Sequence, residues 1–266
     1  MDLRATALSP EAIHDLHRDL RRLAIGLSVW RRLVPSGRAA AVTELTQHLR
    51  RLARLVGRVR DRDVTAGLLL PTPATRSRPK VDRNWDEFLG RLREDTQAGR
   101  ELLRAFLTSE RQNGLLDRLA EALELEPRPG AARSLHFVLA EERRRRQGRV
   151  RKAHRKARRN PSSARLHRLR IRIRQWRHLT ALEGTQAASP EPPPPPSWRR
   201  MQTRLGRLHD LDVAIATIPE ELRDGPGSRG IVETRRRLRR SVRRSLKELG
   251  ARPERARPRP RSREGS

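Results

Sequence analysis

The sequence predicts an all-α protein built from two copies of one helical unit, and three observations predict it. Leu166, Leu169, Ile173 and Trp176 recur at steps of three and four, the spacing that lines one stripe of an α-helix. One position further round, His167, Arg170, Arg174 and Arg177 keep the same step. An earlier stretch repeats both patterns, with Ile13, Leu16, Leu20, Leu23, Leu27 and Trp30 as the apolar seam and His14, His17 and Arg21 as the cationic rail. Finally, Gly57-Arg58-Val59-Arg60-Asp61-Arg62-Asp63-Val64 shares Gly, Arg, Asp, Asp and Val with Gly206-Arg207-Leu208-His209-Asp210-Leu211-Asp212-Val213. His14 and His167 stand 153 residues apart and the two glycines 149, so both markers are displaced by nearly one distance, as in an internal repeat.

In chain order, Ser9-Pro10-Glu11 reads as a helix start, with Ser9 as N-cap and Pro10 in the first turn. This helix is expected to run to about Val34, where Pro35-Ser36-Gly37 breaks it. A second helix carries Val42, Leu45, Leu49, Leu52, Val56 and Val59, with Arg50 and Arg60 on its border and its end in the Gly57–Val64 stretch. Asp61 and Asp210, read as lying just past a last turn, are expected to cap the helix that follows, while Asp63 and Asp212 pair with arginines.

After a loop at Pro71–Pro79, two helices are predicted over about 82–107 and 110–125, with Trp85, Phe88, Leu92, Leu102, Leu103 and Phe106 as core candidates. Pro127-Arg128-Pro129-Gly130 closes the first unit, an up-down bundle of about four helices.

The second unit opens at about Ala131 with a helix that ends at Asn160-Pro161, too rich in arginine to be buried all round. After the His167 helix comes Ser189–Ser197, with five consecutive prolines, read as a stiff insertion in a hairpin loop. The next helix carries Trp198, Met201, Leu205 and Leu208, and places His209 where Arg60 stands in the first copy. A last helix spans about 230–249, with Leu238, Val242, Leu246 and Leu249 inside. The Arg-Pro tail, 251–266, is expected to be disordered, and residues 1–8 are read as a short N-terminal lead.

Composition bounds the function. The chain carries 62 basic and 31 acidic side chains, a formal net charge of +31, and 58 of the basic residues are arginine. Arginine's planar fork suits bidentate contact with phosphate oxygens, although codon bias in a high-GC genome also enriches it. A packed helix needs only its seam, and a basic rail beside it adds self-repulsion, so the rails point to a polyanionic partner. Marginal stability without counter-charge follows, relieved by a bound polyanion. No cysteine is present, which excludes disulfides and thiolate metal sites. No signal-peptide core and no membrane-length apolar run is found, so a cytoplasmic protein without a membrane span is expected.

Three chemistries compete. His14 and His17 at i, i+3, with Asp61, Asp63, Asp210 and Asp212, invite a metal, but neighbouring arginines oppose a dication and no His-Glu-x-x-His spacing occurs; no metal or cofactor is predicted. Hydrolysis would need a positioned nucleophile, and none is identified. Nucleic acid suits the charge, and nonspecific binding at low salt is expected. With no tyrosine, three phenylalanines and four tryptophans, most on seams, stacking platforms are lacking.

The rail and turn motifs resemble those of the CHAD domain, the conserved-histidine α-helical domain. Its pattern is a His-x-x-Arg-x-x-x-Arg/Lys-x-x-Arg helix followed by a Leu-Gly-x-x-Arg/Asn-Asp-x-Asp-Val turn, once in each half. The second half of this chain matches through His167, Arg170, Arg174, Arg177 and Leu205–Val213. The first matches through His14, Arg21, Arg22 and Gly57–Val64, and departs where His17 and Ala24 replace arginines. The resemblance covers about 9–250. It implies duplicated four-helix bundles (about 9–127 and 131–250), related by a pseudo-two-fold around a basic central groove that binds inorganic polyphosphate. Members often follow a triphosphate-tunnel catalytic domain; this chain is read as a stand-alone, non-catalytic module, with polyphosphate granules as an expected location. The residues assigned to the phosphate chain are His14, His17, Arg18, Arg21, Arg22, Arg50, Arg60, His167, Arg170, Arg174, Arg177 and His209. Histidine pKa values are expected to rise beside the polyanion. The alternatives are a nucleic-acid-binding protein and a metal-dependent phosphohydrolase or its accessory subunit.

Overall fold

The structure is a computed structural model that describes residues 8–70, 83–125, 131–183 and 194–251. Among these residues it is all-helical: α1 (Pro10–Trp30), α2 (Ser36–Leu69), α3 (Arg83–Gln112), α4 (Leu115–Glu124), α5 (Ala131–Arg159), α6 (Ser163–Glu183), α7 (Pro196–Thr217) and α8 (Pro226–Ala251), with one 3-10 turn at Glu220–Leu222. None of these helices is long and apolar enough to cross a membrane. The loop 71–79, the closing segment 127–130, the start of the proline run up to 193, the lead up to residue 7 and the tail from 252 lie outside the described residues.

Local chemistry accounts for the helix ends. Ser9 Oγ accepts the Ala12 N–H at 3.1 Å and Pro10 occupies the first turn, so α1 starts where an unpaired donor is capped and a fixed φ is harmless. α1 ends at Trp30 rather than Val34, because residues 31–34 tighten into a turn, with Leu33 N–H bonded to Trp30 O, that buries Leu33 and Val34. The break expected near residue 108 falls instead at Gly114, which adopts a left-handed φ of 68° that costs glycine little; α3 therefore continues to Gln112.

The second helix corrects the aspartate reading. α2 runs unbroken to Leu69, so Asp61 and Asp63 lie inside it, as Asp210 and Asp212 lie inside α7, and none of them caps a helix. Their expected pairing with arginine does occur. Asp63 meets Arg100 of α3 at 2.7 Å and Asp212 meets Arg235 of α8 at 2.5 Å. These tertiary partners offset the poor helix propensity of aspartate.

Four apolar clusters hold the helices together. One lies within α1–α4 and includes Ile13, Leu20, Leu27, Val42, Leu49, Val56 and Leu103. Another lies within α5–α8 and includes Leu166, Leu169, Ile173, Trp176, Trp198, Met201, Leu205 and Leu246. The remaining two tie the halves of the chain to each other. Trp85, Phe88, Leu89 and Leu92 of α3 pack with Leu69, Ala214, Ile218 and Leu222, while Val29 and Leu33 pack with Val138 of α5 and Leu179 of α6. Each such side chain, fully buried, stabilises by roughly 1.5–3 kcal/mol, which offsets self-repulsion among the arginines.

Trp85 rests on Gly227, where a Cβ would stand 2.5 Å from the indole; only glycine admits that approach. Leu102, a core candidate, is instead 72% exposed: it sits one position before Leu103, which takes the inward place on α3.

The helices that carry the two sequence repeats meet at the centre. α1 packs on α6, α2 on α7, and each also packs on its own hairpin partner. The fourth helix differs between the halves: α4 follows and packs on α2 and α3, whereas α5 precedes and packs on α6 and α8.

Candidate functional site

Where α1, α2, α5, α6 and α7 face one another, a cleft of about 830 Å³ opens. Eight of the twelve side chains assigned from sequence line it: His17, Arg21, Arg50, Arg60, His167, Arg170, Arg174 and His209. Four do not. Arg18 turns outward to Asp15 and Asp19, at 2.7 and 3.1 Å, and Arg22 lies 3.8 Å from Asp19. Both stand one step round the helix from the inward-facing His17 and Arg21. Arg177 donates to Gln202 Oε1 at 2.7 Å and is held on α7. His14 is exposed and absent from the lining, though close enough to Asp210 to favour its carboxylate.

The cleft's chemistry is dominated by guanidinium groups held together against their mutual repulsion. Arg174 is the extreme case: burial, then Arg21, Arg170 and Arg60, lower its pKa to about 9. Arg21 and Arg170 are lowered as well, again by burial first. Arg60 is the cation best supplied with carboxylates. Its Nη1 donates to Asp61 Oδ1 at 2.9 Å, and its Nη2 lies 3.8 Å from Asp210 Oδ1 on α7. Burial raises Asp210, although Arg60 and Arg170 oppose the rise.

In the unliganded chain, with no polyanion beside them, the cleft histidines have lowered pKa values. Burial, reinforced by Arg21, Arg174 and Arg60, lowers His17 to about 3. Burial, then Arg170, His167, Arg174 and Arg60, lowers His209 to about 3. His167 is also lowered, by burial and by Arg170 and Arg174. These rings are therefore neutral at physiological pH in the unliganded chain. His17 shows how that state is used. Its Nε2 accepts the Arg21 Nε–H at 2.6 Å, which fixes its own proton on Nδ1 and holds the guanidinium in the cleft. Gly57 of α2 makes room for this ring, since a Cβ there would stand 3.1 Å from His17 Nε2.

The wall formed by α5 carries cleft residues that sequence reasoning missed. Arg145, Arg146 and Arg149 line it, joined by His178, Arg54 and Arg58. Arg146 is locked by Glu142 at 2.8 Å and by the Gln175 carbonyl at 3.0 Å, while Arg32, in the turn after α1, reaches across to Glu141. Burial and four arginines, Arg174 foremost, lower His178 to about 4. Neither tryptophan nor phenylalanine is among the lining residues, and Asp61 and Glu142 are the carboxylates. Among the described residues, no three His, Asp or Glu side chains are grouped so as to hold a metal ion.

Comparison with known proteins gives two matches. A family model described as the CHAD domain matches residues 2–219. The crystal structure of the CHAD domain from the plant Ricinus communis superposes with a TM-score of 0.57 at 20% identity, over 90% of this chain and 82% of that one. This structural likeness shows a shared fold. A search of curated proteins returns no match.

Proposed function

Because this chain belongs to the CHAD domain family, we propose that it is a non-catalytic module that binds inorganic polyphosphate. In this reading two copies of a helical unit face each other about a pseudo-two-fold, and the cleft between them is the basic groove. One observation carries it: Arg21, Arg60, Arg170 and Arg174 converge from α1, α2 and α6 on a cleft whose lining contains no tryptophan or phenylalanine. Each guanidinium offers forked N–H donors to phosphate oxygens, and a charge-assisted bond of this kind contributes about 1.5–3 kcal/mol. A chain of phosphates without bases needs no stacking surface, whereas a single-stranded nucleic acid gains much of its affinity from one. Histidines that are neutral in the free protein can add donors once phosphate oxygens lie beside them. Such a module would act in the cytoplasm, wherever polyphosphate accumulates, granules included.

Competition tests the reading. Labelled long-chain polyphosphate, bound at about 150 mM salt, should be displaced by unlabelled polyphosphate and resist a mass excess of single- or double-stranded DNA. Displacement by DNA at equal phosphate concentration would favour the nucleic-acid alternative. Release of orthophosphate from long chains with added Mg²⁺ or Mn²⁺ would favour the phosphohydrolase.

A further inference from the structure

A second cavity, of about 1060 Å³, lies on the other side of α5 and is bounded also by α6, α7 and α8. Its floor is apolar and closed: Val150, Met201 and Trp198 line it, and each is more than nine-tenths buried. Its rim is cationic. Arg151, Arg155 and Arg158 fall at steps of four and three, one stripe of α5, and Arg200 and Arg204 stand about one turn apart on α7, against a single carboxylate, Glu248. Arg155, Arg158 and Arg200 are exposed and make no ion pair among the described residues. A groove that gathers guanidinium groups from two helices is suited to an anion that brings several oxygens with it.

α5 is the wall that the two cavities share. Arg145, Arg146 and Arg149 line the central cleft, and Arg151, Arg155 and Arg158 line the outer groove. Round the helix, the exposed side chains Lys152 and Arg159 fall between these two stripes. From Arg143 to Arg159 the helix carries eleven arginines and lysines and no aspartate or glutamate. A polyanion leaving the cleft therefore meets positive charge all the way across α5, a path of about 10–12 Å, the width of one helix.

We propose that the groove is a second phosphate-chain site and that one long polyphosphate occupies both cavities, bent over the solvent face of α5, so that the protein selects chains by length. This rests on the polyphosphate reading of the cleft and extends it from what is bound to how much of it is held. A duplex nucleic acid, stiff over about 150 base pairs, cannot bend round a single helix. A single strand could, but Trp176 and Trp198 beneath the groove are only 5% and 8% exposed and offer no face to a base. Two linked sites raise affinity through effective concentration, and only for a ligand long enough to reach both.

The test is calorimetry on the full chain at physiological salt, with tripolyphosphate and long-chain polyphosphate as probes. Tripolyphosphate should fill two sites per chain, and the long polymer should bind at least about a hundredfold tighter. Arg155→Gln, Arg158→Gln and Arg200→Gln together, all at exposed positions that glutamine suits as a helix former, should remove one tripolyphosphate site and weaken the long polymer at least about tenfold. The charge-matched control, Arg236→Gln, Arg240→Gln and Arg243→Gln on the outer side of α8, lines neither cavity and should stay within a factor of about three of the parent. A single tripolyphosphate site that survives the groove variant and is weakened by Arg174→Leu would overturn the groove and leave the cleft reading standing. A single site lost in the groove variant and untouched by Arg174→Leu would overturn the cleft reading, and the bridging chain with it. Equal weakening by the control would reduce the effect to bulk charge and overturn the proposal.

Discussion

His167 Nδ1 lies 3.2 Å from His209 Nδ1, with the ring centroids 4.7 Å apart, so α6 and α7 meet across a pair of rings that can share one proton. Arg170 and Arg174 press on both rings, Arg60 on His209, and Asp61 alone favours the charged form of His167. A phosphate chain laid along these arginines would reverse the field felt by the pair.

Proton uptake on binding is the first expectation. The free-state pKa of His209 is about 3 and that of His167 is lowered; phosphate raises both, so the bound state holds more protons. Affinity should therefore strengthen as pH falls from 8 to 6, and calorimetry in buffers of different ionisation enthalpy should register net uptake. Affinity that is flat with pH, with no proton exchanged, would remove the histidines from the contact.

Stability of the unliganded chain should move the other way. His17 titrates at about 3 when folded, against an ordinary value of 6.5, so below pH 6.5 the unfolded chain takes up a proton that the folded one refuses. At pH 5 this costs about 2 kcal/mol for His17, and the loss continues down to its folded value. Thermal melts at pH 7.5 and 5 should show lower stability in acid, and added polyphosphate should shrink or invert that slope.

Arg174 should show that binding and stability oppose each other. Arg174→Leu removes a buried charge that Arg21, Arg170 and Arg60 repel, and should raise the melting temperature of the free protein. A gain of about 1 kcal/mol corresponds to roughly 2–4 °C in a chain of this size. The same change should weaken polyphosphate about tenfold or more, since one charge-assisted contact is lost. A variant that loses stability as well as affinity would show Arg174 to be part of the packing instead.

The two motif glycines should respond differently. Gly57→Leu drives a side chain into His17 and should cost about 1–3 kcal/mol, measured by chemical denaturation. Gly206→Ala meets nothing within 4 Å and should gain up to about 1 kcal/mol from helix propensity.

Much of this arrangement was legible from spacing alone. Leu166, Leu169, Ile173 and Trp176 are all buried where the three-four pattern places them, and Ser9 caps α1 as its type and position imply. The middle of each rail, His17 and Arg21 on α1 and His167, Arg170 and Arg174 on α6, lines the cleft because it sits on the border between packed and open surface, whereas His14 and Arg177 at the rail ends do not. The end of α2 was misread because aspartate usually marks helix starts, and only the tertiary partner Arg100 makes Asp63 acceptable inside one. The α5 wall escaped for a different reason: Arg143–Arg146 has no apolar period to orient it, so nothing in the run shows that Arg145, Arg146 and Arg149 line the cleft. The lowered histidine pKa values depend on burial depth, which a one-dimensional pattern does not carry.

Trp85 seated on Gly227 has a consequence for biosynthesis. The aromatic end of α3 leaves the ribosome more than a hundred residues before Ile218, Leu222 and Gly227, the groups that cover it. Until then the nascent chain displays an oily face that a holding chaperone can grip. An N-terminal fragment stopping near residue 125 would keep that face permanently bare and clump at concentrations where the whole chain stays dispersed.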